Sequence, residues 1–264
     1  MKYVVVTGAY GGMGRETVKK LAERGFTVFA LDKKIEAEDD NVIPIQADVT
    51  DASSLKNAFE KVKTVTNQIS AIIHFVGVYA LDSLIEISDE DFERIFKINF
   101  YGAFYVNKIF KPLLEGGSKI IMTTSELAPL DPLPFTGIYA ITKSTLDKYA
   151  YSLRMELQLL GVSVSVVRAG AVRTDMLDVS TKSLERFCEK TTLYKCNADR
   201  FLKIVKGVEA RCVPPTKIAK KVISILDKKK PKFVYNLNRN KLLLLLNALP
   251  QKFQFWVIKK ILKK

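Results

Sequence analysis

Histidine is nearly absent from this chain of 264 residues, with His74 alone present. That scarcity argues against a metal site built on imidazoles and against a Ser-His-Asp triad. Cysteine is scarce too. Cys188, Cys196 and Cys212 cannot all pair, and their spacings of 8 and 16 fit no zinc pattern, so they read as reduced thiols. No metal site is expected. No stretch of about 18 apolar residues exists, so no segment is expected to cross a membrane. Nor is a secretory leader evident, because Lys2-Tyr3-Val4-Val5-Val6 runs straight into a glycine turn. These absences lead to an expectation of a cytoplasmic protein.

What is present suits a folded core. Apolar residues make up 48% of the chain, and the length fits one large domain or two small ones. The formal charge of +14 is unevenly spread. From Lys228 to Lys264 there are ten Lys, Arg239 and no acid, giving +11 and leaving +3 for residues 1 to 227. A body so near neutrality argues against nucleic acid as a partner; the basic signal belongs to the tail.

Short Val/Ile-rich runs recur at Val4–Val6, Val28–Leu31, Val42–Ile45, Ala71–Val76, Lys119–Thr123 and Val162–Arg168. They lack polar alternation, as strands buried on both faces do. Helical periodicity fills the gaps, with a capping box at Ser88-x-x-Asp91. The alternation predicts a doubly wound α/β sheet of Rossmann type. One dehydrogenase-like domain is expected over residues 1–235, with a helical insertion at 175–215 and a basic segment at 236–264.

The first strand enters Thr7-Gly8-Ala9-Tyr10-Gly11-Gly12-Met13-Gly14 and then a helical pattern. Glycines permit a tight turn and close approach to a pyrophosphate, and the helix N-terminus offers free N–H groups. An ordinary strand-to-helix turn is the plainer alternative. Asp32 closes the second strand, 24 residues after Gly8. A carboxylate there accepts ribose hydroxyls and repels a 2′-phosphate, which favours NAD over NADP. Lys33 and Lys34 pull the other way.

Tyr139 and Lys143 are four residues apart and share a helix face. An ammonium near a phenol favours the phenolate, so a lowered Tyr139 pKa is expected. Ser125 lies 14 residues earlier, after a strand, where its hydroxyl can hold a carbonyl oxygen. Asn99 interrupts a helical pattern, a choice that suggests a buried polar role.

Taken together, Thr7-Gly8-x-x-x-Gly12-x-Gly14, Asp32, Asp48, Asn99, Ser125 and Tyr139-x-x-x-Lys143 resemble the short-chain dehydrogenase/reductase family in order and spacing. The resemblance covers about residues 1 to 227. It implies hydride transfer between a nicotinamide and an alcohol or carbonyl carbon. By that resemblance Tyr139 passes the proton, Ser125 steadies the oxygen, Lys143 lowers the phenol's pKa and holds the ribose, and Asn99 holds a water. The implied cofactor contacts are Gly8, Tyr10, Gly12, Met13, Gly14, Asp32, Asp48, Val49, Gly77, Tyr139, Lys143, Gly170, Val172 and Thr174. The family also implies a dimer or tetramer.

Three departures stand out. The usual Asn-Asn-Ala-Gly reads His74-Phe75-Val76-Gly77, the usual Pro-Gly reads Ala169-Gly170, and Tyr10 is bulky for its turn. His74 is therefore expected to be structural.

Residues 175 to 215 include Met176, Leu177, Leu184, Phe187, Leu193, Tyr194, Phe201, Leu202 and Ile204. Their apolar character suits a lipophilic substrate such as a hydroxysteroid, bile acid, retinoid or long-chain alcohol. Packing on the body is the alternative. In the tail, Phe253, Trp256, Val257, Lys260 and Ile261 form a stripe, with Lys252, Lys259 and Lys263 elsewhere. A basic amphipathic helix of this kind suits peripheral membrane contact, or docking on the body or a second subunit. Two further functions stay open: an NADP-dependent carbonyl reductase, and a non-catalytic NAD-binding scaffold at a membrane.

Overall fold

A computed structural model describes residues 2–36, 40–209 and 211–263. The sheet is seven-stranded and parallel, in the order β3-β2-β1-β4-β5-β6-β7. Its strands are β1 (Lys2–Thr7), β2 (Phe26–Asp32), β3 (Val42–Gln46), β4 (Ile69–His74), β5 (Leu114–Ser125), β6 (Ser163–Ala169) and β7 (Val234–Leu237). Six of these follow the apolar runs. The seventh, β7, lies outside them: it is a half-exposed edge strand between lysines and asparagines, paired Val166↔Val234 to Ala169↔Leu237.

Helices cover both sheet faces, as parallel strands require. On one face α1 (Gly12–Ala22) and α8 (Thr216–Leu226) bury Val18, Leu21, Ile218, Val222 and Ile225. On the other lie α2 (Ala52–Lys63), α4 (Gly102–Phe110) and α5 (Gly137–Leu157), which bury Leu55, Phe110, Leu146 and Ala150. Helix α3 (Asp89–Phe96) begins at Ser88, whose hydroxyl accepts the Asp91 N–H at 3.2 Å, as the capping box predicts.

Two helices occupy the 175–215 stretch, α6 (Asp175–Lys190) and α7 (Lys195–Glu209). They share a third apolar cluster with Leu81, Phe135 and Leu262. Glu86 fastens their corner, accepting from Thr191 Oγ1 at 2.6 Å and Thr192 N at 2.8 Å. These bonds hold its carboxyl down at a pKa of about 2. The side chains of Met176, Leu177 and Cys196 lie outside the described residues. The tail forms α9 (Lys241–Asn247) and α10 (Gln251–Leu262), joined by a break at Pro250. Among the described residues, no helix is long and apolar enough to cross a membrane.

Candidate active site

All parallel strands point their C-terminal ends to one edge of the sheet, where loops leave room for a ligand at the topological switch point. Gly8 takes φ +68°, a left-handed conformation, at the end of β1, and a Cβ there would lie 2.9 Å from Val76 N. Gly14 tolerates no side chain either, since its Cβ would fall 2.0 Å from Gly8 O. A Cβ on Gly12 would meet Thr174 Cγ2 at 2.7 Å, so Thr174 is packed against the turn. Helix α1 starts here with no side-chain cap, leaving its first N–H groups for a ligand. Tyr10 donates its N–H to Asp32 Oδ2 at 3.1 Å, which ties the turn to the end of β2.

The hydroxyls of Thr7, Tyr10 and Thr123 are buried without a partner. Together with the bare turn, these atoms suit a polar, phosphate-bearing group such as a dinucleotide.

Asp48 and Val49 follow β3. Asp48 accepts from Thr50 N at 2.9 Å and pairs with Lys33 Nζ at 2.9 Å, while Val49 is buried against Gly102. The Lys33 charge, weighed above as a phosphate attractor, is thus already engaged. Arg15 pairs with Glu36.

The four expected catalytic residues come from three elements. Ser125 ends β5, Tyr139 and Lys143 share the inner face of α5, and Asn99 sits in a π-helical turn, Lys97–Tyr101. The Ser125 hydroxyl, which accepts the Leu127 N–H at 3.2 Å, lies near enough to the Tyr139 phenol to lower its pKa. Tyr79 packs edge-on against the Tyr139 ring, centroids 4.6 Å apart. Lys143 is buried, with Nζ 5.7 Å from the centroid of the Tyr139 ring and 3.5 Å from Thr123 O. A Cβ on Gly77 would come within 3.0 Å of that Nζ and 3.4 Å of Asn99 Oδ1, so a glycine here keeps both atoms open to the cleft.

Asn99 is fully engaged as a donor, to Val78 O and Thr142 Oγ1, both at 3.0 Å. Its Oδ1 accepts the Val78 N–H at 2.7 Å and retains one lone pair. Its immediate effect is to fix the backbone beyond Gly77.

In the chain alone the phenol of Tyr139 is pushed up to about 12, opposite to the direction a neighbouring ammonium gives. Burial is the largest cause, Glu126 adds to it, and the Ser125 hydroxyl opposes it. Lys143 lies over the ring face rather than at the hydroxyl, and burial brings its own pKa down to about 8. The ammonium so placed does not offset the desolvation of a phenolate.

Sequence reasoning also missed the pair that fixes this geometry. Arg168 of β6 makes a bidentate bond to Asp147 of α5, at 3.0 and 2.6 Å, and Thr124 donates to the same carboxylate at 3.2 Å. Asp147 is one turn beyond Lys143, so the pair locks α5 against β5 and β6. His74 is buried and bonded to Asn107 Oδ1 at 2.9 Å, with Asn107 in turn bonded to Tyr149. Burial lowers its pKa to about 4, so it is a neutral structural group.

Ser125, Tyr139 and Lys143 open on a cleft with a cavity of about 160 Å³, whose lining also includes Met13, Gly77, Gly170, Val172 and Thr174. Its outer walls are apolar: Leu127, Leu133, Phe201, Ile204, Val205 and Leu243. Of the apolar residues noted in the insertion, Phe201 and Ile204 reach the cleft. Leu184 and Phe187 pack in the third cluster instead, and Leu193 is exposed. Glu126 also lines the cleft, a carboxylate whose place directly after Ser125 was the available signal.

The family model for short chain dehydrogenase matches residues 2–185. A probable short-chain type dehydrogenase/reductase, VdlC, from Helicobacter pylori is 26% identical over 254 residues, covering 93% of this chain and 92% of that protein. Estradiol 17-beta-dehydrogenase 2 from Mus musculus is 32% identical over 189 residues, covering 66% of this chain. An NADPH-dependent 1-acyldihydroxyacetone phosphate reductase from Schizosaccharomyces pombe is 30% identical over 179 residues, again 66% of this chain. The match spans 49% of the mouse protein and 60% of the yeast one. A solved short-chain dehydrogenase/reductase from Burkholderia phymatum, in complex with NAD, shares the fold with a TM-score of 0.78 at 22% identity, covering 97% of this chain and 95% of that one. The chain belongs to the short-chain dehydrogenase/reductase family, oxidoreductases that act on CH–OH and carbonyl groups with NAD(P).

Proposed function

We propose that this chain is an NAD-dependent dehydrogenase or carbonyl reductase of an uncharged lipophilic substrate, such as a hydroxysteroid or a retinoid. The observation that carries the reading is the cleft itself, which Ser125, Tyr139 and Lys143 line together with walls of Leu, Ile, Val and Phe. Burying apolar substrate there contributes ~25 cal/mol per Å². Glu126 adds a carboxylate that disfavours anionic substrates.

When bound, a nicotinamide dinucleotide supplies the hydride acceptor or donor. The chain supplies the rest. Tyr139 Oη holds the proton that moves to or from the substrate oxygen. Ser125 orients that oxygen, and Lys143, with Asn99 behind Gly77, faces the cofactor side. The glycine turn and α1 N–H groups would hold the phosphates. Asp32, at the end of β2, supports NAD, since a carboxylate there would repel a 2′-phosphate. The NADP reading keeps one supporting observation, the exposed Lys34, which has no acid paired to it among the ion pairs of the described residues. A dimer or tetramer, cytoplasmic and in peripheral contact with a membrane through the tail, completes the proposal.

The test is a panel of steroid, retinoid and short-chain alcohols and ketones with NAD and NADP, read by reduced-nicotinamide absorbance. Turnover with NAD on lipophilic substrates is expected. Tighter binding and faster turnover with NADP would overturn the Asp32 argument.

A further inference from the structure

We propose that the outer face of α9 and α10 docks on an anionic lipid surface, and that the cleft draws its substrate from that surface. The second half rests on the lipophilic substrate proposed above.

Helix α10 has two faces with different fates. Its inner face is taken: Gln254 and Leu262 are buried, and Ile258 packs on the third cluster. Gln254 Nε2 donates to Leu249 O at 2.8 Å, Asn197 of α7 donates to Leu262 O at 2.7 Å, and Arg200 donates to Lys263 O at 2.9 Å. Away from that face Phe253 and Trp256 lie on one flank and Phe255 on the other, each 59–67% exposed. Helix α9 adds Leu242 and Leu245 at 65% and 64% exposed. Large apolar side chains left this open mark a contact surface.

Charge identifies the occupant. Lys241, Lys252, Lys259, Lys260 and Lys263 border these side chains, and no acid occurs from residue 228 onward. A second copy of the chain would bring the same +11 segment against its own kind, which opposes a self-complementary contact. An anionic bilayer offers apolar depth and negative headgroups together, and each lysine near it adds favourable binding.

The same helices are built into the cleft. Leu243 of α9 lines it, and Asn240 N donates to Glu126 Oε2 at 2.5 Å, one residue from Ser125. Helix α10 seats on α7, whose Phe201 and Val205 are cleft wall. A lipid surface on this side therefore meets the mouth of the site through one layer of helix.

Trp256 is the sole tryptophan, so its emission reports the contact directly. The full chain is titrated with vesicles of equal parts phosphatidylcholine and phosphatidylglycerol. The expected result is a blue shift, quenching by brominated lipid, and weakening as salt is raised. The Phe253→Ser/Phe255→Ser variant should bind vesicles about tenfold or more weakly in co-sedimentation. Its turnover of a steroid dissolved in vesicles should fall in step, while turnover of a short water-soluble alcohol stays at the parent level. If that variant folds poorly, Lys252→Gln/Lys259→Gln/Lys263→Gln serves instead. No shift with vesicles, or a shift that follows protein concentration without lipid, overturns the docking. Equal turnover of the vesicle-held steroid by parent and variant overturns the route of entry. Absence of NAD-linked turnover of any alcohol overturns the proposed function and leaves the Trp256 result standing.

Discussion

The carboxylate of Glu126 accepts the backbone N–H of Asn240 at 2.5 Å, and so fastens the C-terminal segment beside Ser125 and Tyr139. Its charge also raises the pKa of the Tyr139 phenol, which the Ser125 hydroxyl lowers. Alcohol oxidation needs the Tyr139 phenolate to accept the alcohol's proton, so it rises with pH toward the phenol's pKa.

Glu126→Gln keeps an acceptor for Asn240 and removes the charge. The alkaline limb of oxidation, followed as kcat/KM against pH, should move to lower pH. Ser125→Ala should move it the other way and reduce turnover. Limbs unchanged in both variants would remove these groups from control of the phenol.

His74 yields a stability prediction. Its folded pKa of about 4 lies below the usual 6.5, because the buried imidazole resists charging. The unfolded chain takes up the proton first, so stability is present above pH 6.5 and is lost as pH falls toward 4. The loss from this group amounts to about 3 kcal/mol. Urea unfolding of the parent and His74→Gln at neutral pH and at low pH should show a shallower fall in the variant.

Asp147 is the hinge of the site's rigidity. Asp147→Ala leaves the half-buried Arg168 without its bidentate partner, at a cost of roughly 2–3 kcal/mol. Because α5 carries Tyr139 and Lys143, turnover should drop along with the urea midpoint. A variant as stable and active as the parent would assign α5's position to apolar packing alone.

Much of this was legible in the sequence, for physical reasons. Buried parallel strands must be apolar throughout, so six of them announced themselves. β7 did not, because Val234-Tyr235-Asn236-Leu237 is short, lies at an edge and is flanked by charge. The spacing of Ser125, Tyr139 and Lys143 follows from a strand end and one helix turn, which periodicity conveys. Their electrostatics do not follow, since the burial that raises the phenol's pKa depends on Tyr79, Glu126 and loops brought in from afar. Likewise the Asp147–Arg168 pair joins residues 21 apart through tertiary folding alone. The tail left docking on the body and membrane contact as alternatives. Helix α10 docks on the body through Gln254 and Leu262 and leaves Phe253 and Trp256 outward.

The central claim is that the Tyr139 hydroxyl carries the proton. Tyr139→Phe removes that one atom and keeps the ring against Tyr79. With a substrate that the parent oxidises, turnover should fall by about 100-fold or more, while cofactor affinity stays near the parent's. Turnover near the parental rate in the purified variant would contradict the account.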